Sequence, residues 1–257
     1  MKKVIFDLRY HLLTFCAVAF CLFRTTQPHK FKPVVNPYSE IEIIDTFTKY
    51  LEKDLSSDFH MASFPIGYIG PKVKQINNYN SINFRDYDRP LKKSFRNANP
   101  TDLNIYVDTT RMIGRTKTFF SSPPPLETLK NKKLSKSYIR YQKTSLMSHP
   151  VFIENLSNDT LLLMGAFHLH LVTEAIDLCG DWQPIQSPIR YSCGNGLPHL
   201  FIPNGGIALS SAIITHGDFK TKLRLRYGYN NFIYSNEFQG HIDYSQFTKI
   251  KYPRRFY

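Results

Sequence analysis

The residues best suited to chemistry lie in the C-terminal half of the chain. Lys220, Lys222, Arg224 and Arg226 alternate with Phe219, Thr221, Leu223, Leu225 and Tyr227. On an extended chain, side chains two apart leave the same face about 6.8 Å from one another, a spacing that matches a linear polyanion. The competing account is defensive, because lysines on an exposed edge strand deter unwanted pairing. His168 and His170 are also two apart, which is the geometry of a two-histidine metal pair. A third ligand would have to come from His199, His216, His241 or Glu174. Without one, the pair reads as the solvent side of a strand that buries Phe167, Leu169 and Leu171. Cys179 and Cys193 enclose a short loop containing proline. They either form a disulfide in an oxidising compartment or stay as two small buried thiols.

Hydrolytic chemistry has candidate residues but no constellation. Glu174, Asp177, Asp181 and Glu237 are polar positions amid strands, and nothing in their spacing marks an acid–base pair. Ser210-Ser211 lacks the flanking glycines of a nucleophile elbow. The chain contains no GxGxxG, P-loop, HExxH or CxxC, so no catalytic residue is assigned and no cofactor is expected. Asn155-Leu156-Ser157 and Asn158-Asp159-Thr160 fit the N-linked sequon. Asp108-Thr109-Thr110 and Asp159-Thr160-Leu161 look like an O-glycan sequon of exported bacterial proteins. Both sets also read as ordinary turn residues at strand ends.

The elements that must position these side chains are strands. Aromatic content is 14%, and 20 Phe and 16 Tyr stand beside 16 Pro and 12 Gly, a balance that favours strands and turns. Val151-Phe152-Ile153-Glu154 predicts a strand, 155–159 a turn and Thr160 to Met164 a second strand. Ile207 to Thr215, Phe219 to Tyr227, Ile233 to Phe238 and His241 to Phe247 continue the series. The alternation in 219–227 predicts one face on a core and one in solvent. Seven or so such strands within 101–248 fit an antiparallel β-sandwich of the immunoglobulin-like kind.

The N-terminal half reads differently. Lys2 and Lys3 precede a 12-residue apolar run at 12–23, LLTFCAVAFCLF, which Arg24 ends. As a helix the run spans roughly 18 Å, against a hydrocarbon layer of ~30 Å. Residues 1–24 are therefore expected to be a signal peptide or short anchor, the chain's one link to a membrane. Residues 25–37 read as a proline-bearing linker. Within 38–100, Ser39 and Glu42 make a capping box, and Ile44, Phe47, Leu51 and Leu55 follow at helical spacing, so an amphipathic helix is predicted. Residues 57–100 read as an irregular region with one or two short strands, and 249–257 as a basic tail.

The net charge is +13. Without residues 1–24 the chain keeps 29 basic and 19 acidic residues, a net of +10, which favours anionic partners. Nucleic acid is disfavoured among them, because Phe84 and Tyr87 lie on no alternating platform.

The stretch 100–248 resembles a group of uncharacterised exported bacterial proteins with a β-sandwich domain. The likeness rests on Glu174-Ala175-Ile176-Asp177, Gly180-Asp181-Trp182-Gln183-Pro184-Ile185 and Cys193-Gly194-Asn195. It continues through Gly217-Asp218-Phe219-Lys220-Thr221-Lys222-Leu223-Arg224 and Tyr234-Ser235-Asn236-Glu237-Phe238. The resemblance implies export and the sandwich fold, and no activity. The expectation is a non-catalytic protein of the periplasm, outer membrane or cell surface, binding an envelope protein or an anionic polymer. The alternative is a secreted hydrolase of glycans or peptides with a site built from loops.

Overall fold

The structure, a computed structural model, describes residues 35–44, 61–62, 64–77, 95–99, 101–120, 141–163, 169–188, 200–228 and 231–249. The predicted signal or anchor, most of the linker, nearly all of the basic tail, His168 and Cys193 lie outside the described residues. Among those described, the chain is mainly β. The strands are β1 (Glu42–Ile43), β2 (Met61–Ala62), β3 (Tyr68–Pro71), β4 (Gln75–Ile76), β5 (Phe95–Asn97) and β6 (Leu103–Val107). There follow β7 (Ile113–Phe120), β8 (Tyr141–Asn155), β9 (Thr160–Leu163), β10 (Leu171–Ile176), β11 (Trp182–Pro184) and β12 (Ser187–Pro188). Last come β13 (Leu200–Ile202), β14 (Gly206–Ile213), β15 (Phe219–Tyr227), β16 (Ile233–Tyr234) and β17 (Phe238–Ile242), then a helical turn, Gln246–Lys249.

Two antiparallel sheets carry most of the structure. In the first the order is β3-β14-β8-β6, with β7 also on β8. Ser148 of β8 is opposite both Ile113 of β7 and Ile213 of β14. β6 and β7 therefore share one side of β8, as an edge strand interrupted at 108–112. β3 belongs fully to this sheet, so the irregular region predicted before residue 101 supplies one of its strands. In the second sheet the order is β11-β10-β15-β16, with β17 also on β15. Leu223 is opposite both Ala175 of β10 and Phe238 of β17, so β16 and β17 likewise share one side of β15.

Alternation decides which side chains go inward. Ile105, Val107, Val151, Ile153 and Ala208 of the first sheet join Leu171, Leu223, Leu225, Tyr227 and Phe238 of the second in a single buried cluster. The two interrupted edges meet at Asn236, between β16 and β17. Its Oδ1 accepts from the Val107 N–H at 2.7 Å, and its Nδ2 donates to the Val107 carbonyl at 3.0 Å. One amide thus satisfies backbone groups that an open strand end would leave exposed.

The outer face of the first sheet is covered by residues 36–43. Tyr38 is fully buried and stacks on Phe152 with ring centroids 4.5 Å apart. Its hydroxyl donates to Glu154 at 2.8 Å and accepts from Asn104 at 3.0 Å. Burial, and then the Glu154 carboxylate, pushes the phenol well above its ordinary range. Arg111 pairs with the fully buried Asp108 and donates to the carbonyls of Tyr38 and Ile41. Here the predicted helix needs correcting at its start. Residues 37–40 turn, and Glu42–Ile43 pairs in parallel with Gln75–Ile76. Glu42 meets the Gln75 amide at 3.0 Å. The tertiary contacts of Tyr38 and Ile41 override the capping signal, and residues 45–55 lie outside those described.

Several strand limits also shift. Ile233 to Phe238 is broken between β16 and β17, and the strand predicted from His241 ends at Ile242 before a turn. The strand predicted around Leu169 begins only at Leu171. The strand around Val151 is the middle of one 15 residues long.

Candidate functional site

The outer face of the second sheet carries the most organised set of polar and aromatic groups among the described residues. Because Leu171, Leu223 and Leu225 point into the core, Val172, Glu174 and Ile176 of β10 and Lys220, Lys222, Arg224 and Arg226 of β15 point outward. Register places Arg224 opposite Glu174, Arg226 opposite both Val172 and Tyr234, and Trp182 opposite Ile176. From these positions the side chains interleave. The Arg224 guanidinium lies over Trp182, 4.2 Å from its ring centroid, and over Tyr234 at 3.8 Å. Arg226 lies over Phe232 at 4.4 Å. Phe232 and Tyr234 are 37% and 43% exposed, with their centroids 6.4 Å apart. Each cation–ring contact is worth about 0.5–2 kcal/mol, more where water is excluded.

Glu174 lies beneath this layer with its side chain 4% exposed. Its Oε2 accepts from Arg224 at 2.9 Å (Nε) and 2.8 Å (Nη2), and its Oε1 accepts from Arg226 at 3.1 Å. Lys222 pairs with Glu237 at 2.9 Å. Three of the four predicted anion-binding residues are thus engaged with carboxylates of the chain itself, while Lys220 is exposed opposite His241.

The edge-protection account of this stripe is corrected. β15 lies between β10 on one side and β16 and β17 on the other, so it is an interior strand. Alternation reveals which face a side chain takes, but not how many neighbours its strand has.

The remaining predicted residues are scattered. His170 is half-buried just ahead of β10, and burial holds its imidazole below the ordinary value. His216 and His241 are exposed, and Glu174 is committed to two arginines. Among the described residues no three His, Cys, Asp or Glu side chains gather as metal ligands. Cys179 is exposed in the turn after β10. Asp177 holds that turn by accepting from the backbone N–H groups of Cys179 and Asp181 at 2.9 and 3.0 Å. Ser210 donates to the Pro65 carbonyl at 2.7 Å. Asn155, in the first N-linked sequon, is 1% exposed. Its Nδ2 donates to the carbonyls of Asp159, Ile202 and Pro203, while Asn158 of the second sequon is exposed.

Sequence reasoning found the cations but missed their partners. Trp182 and Tyr234 become neighbours of Arg224 only once β11 and β16 are placed on either side, and no spacing in the chain encodes that. No family model, no curated protein and no solved structure matches this chain.

Proposed function

We propose that this chain is an exported, non-catalytic binding protein with an immunoglobulin-like sandwich as its rigid body, and that the outer face of the second sheet is its binding surface. The observation that carries the reading is Arg224 between Trp182 and Tyr234, with exposed rings beside it. Aromatics and arginines dominate binding energy at interfaces. Arg224 is already held by Glu174, Trp182 and Tyr234, so little of its rotamer entropy is left to lose on binding. Two sheets contributing to one core support the sandwich, and the basic start with its 12-residue apolar run supports export.

Trp182 is the chain's single tryptophan and lies within the surface itself, so its emission is a direct probe. Titration with two anionic polymers, dextran sulfate and a glutamate–tyrosine copolymer, is expected to change that emission saturably for at least one. Silence with both overturns this surface as the binding site. Export is tested separately, by the mass of the protein recovered from its own cell with and without reduction. A full-length, cytosolic, fully reduced species overturns it.

A further inference from the structure

We infer that the partner of this surface is an acidic polypeptide, rather than an acidic glycan or a nucleic acid; the inference rests on the binding role proposed above. The first reason is charge. The outward side chains of the second sheet present four cations, Lys220, Lys222, Arg224 and Arg226, against two carboxylates, Glu174 and Glu237. The face therefore complements an acidic partner, as the chain-wide excess of base does.

The second reason is how those cations are held. A highly charged linear polymer binds mainly by releasing counterions from a row of cations that take up its charges. Here Glu174 holds Arg224 and Arg226, and Glu237 holds Lys222, so much of the charge along the row is met from within. What distinguishes the face is apolar area fixed beside charge, in Phe232 and Tyr234. Arg224 already lies over one face of Trp182 and one of Tyr234, and Arg226 over one of Phe232. Each ring therefore has at most one face and its edge left, which suits side-chain packing better than a run of stacked sugars or bases. An acidic polypeptide supplies both kinds of complement, with apolar side chains against the two rings and carboxylates towards Lys220 and its neighbours.

The experiment titrates the full chain with the glutamate–tyrosine copolymer and with dextran sulfate. Trp182 is excited at the red edge, where tyrosine does not absorb. The copolymer is expected to bind more tightly at moderate salt. Phe232→Ala and Tyr234→Ser should each weaken it about tenfold, and Lys220→Glu several-fold with a shallower salt dependence. All three side chains are exposed, and unchanged thermal unfolding establishes that the variants fold. A response to dextran sulfate alone would leave the binding surface standing and overturn the polypeptide partner. Copolymer binding that ignores both ring substitutions would overturn it as well. Silence with both polymers removes surface and partner together.

Discussion

Replacing Glu174 with glutamine tests the layer most directly. The carboxylate is almost fully buried and receives three guanidinium contacts between 2.8 and 3.1 Å. Glutamine keeps the shape but removes the charge, and its amide nitrogen turns donors towards a donor. Removing one partner of a fully buried pair costs about 3–5 kcal/mol. Arg224 and Arg226 each keep 19% of their side-chain surface, so water recovers part of that loss, and about 2–3 kcal/mol is expected. At roughly 2–4 °C per kcal/mol for a chain of this size, the melting temperature should fall by about 5–10 °C. Urea unfolding followed by Trp182 emission reads the same quantity, as a lower midpoint at unchanged slope. A second substitution sharpens the reasoning. Glu174→Gln with Arg226→Met removes one of the two orphaned cations and should be less destabilised than the sum of the single changes. A loss below about 0.5 kcal/mol for Glu174→Gln, the level of an exposed pair, would refute burial as the source of its strength.

Asn155→Ala leaves the carbonyls of Asp159, Ile202 and Pro203 without their common donor. The Pro203 carbonyl keeps the Gly206 N–H and the Asp159 carbonyl keeps the Ser157 hydroxyl. The loss therefore falls chiefly on the buried Ile202 carbonyl, and denaturant unfolding should register about 1–2 kcal/mol. Tyr38→Phe removes the hydroxyl between Glu154 and Asn104, for about 1 kcal/mol. Tyr38→Ala also empties the site over Phe152, for about 3–5 kcal/mol, and should make residues 36–43 newly sensitive to limited proteolysis. His149 provides a pH test. Burial holds its imidazole below the ordinary 6.5, and its Nδ1 lies 3.1 Å from the Arg111 carbonyl. The unfolded chain therefore binds a proton that the folded one resists. Stability should be flat above about pH 6.5 and fall as pH drops through that value towards the lower folded one, with His170 adding to the slope. Unfolding free energies measured from pH 7.5 to 5 should show a gentler decline in His149→Gln, and an unaltered decline would exclude His149 as a source.

How much was legible in the sequence is clearest at β15. Its predicted limits, Phe219 to Tyr227, and its inward and outward faces are those of the structure, because a period of two maps directly onto the two sides of a sheet. Most of β14 was legible in its apolar run, the mainly β character in the aromatic and turn-residue content, and the break before β9 in the Asn, Ser and Asp residues at 155–159. Where two signals competed, the local one failed. Ser39 and Glu42 satisfy a capping rule worth about 1 kcal/mol, but burial of Tyr38 and Ile41 outweighs it. Helix capping involves neighbours in the chain, whereas the contacts that overrode it come from residues 66 to 116 positions away.

The sequence by itself therefore determined where strands could form, which way their side chains would face, and that the molecule would carry an excess of positive charge. Only the tertiary structure decided that Lys222, Arg224 and Arg226 would meet carboxylates of their own chain, that β15 would be an interior strand, and that Trp182 and Tyr234 would enclose Arg224. The reason is the one that separates the two kinds of information throughout. Periodicity is a property of consecutive residues, whereas register between strands is set by packing across a shared core. Trp182 and Arg224 are 42 positions apart and become neighbours through register alone.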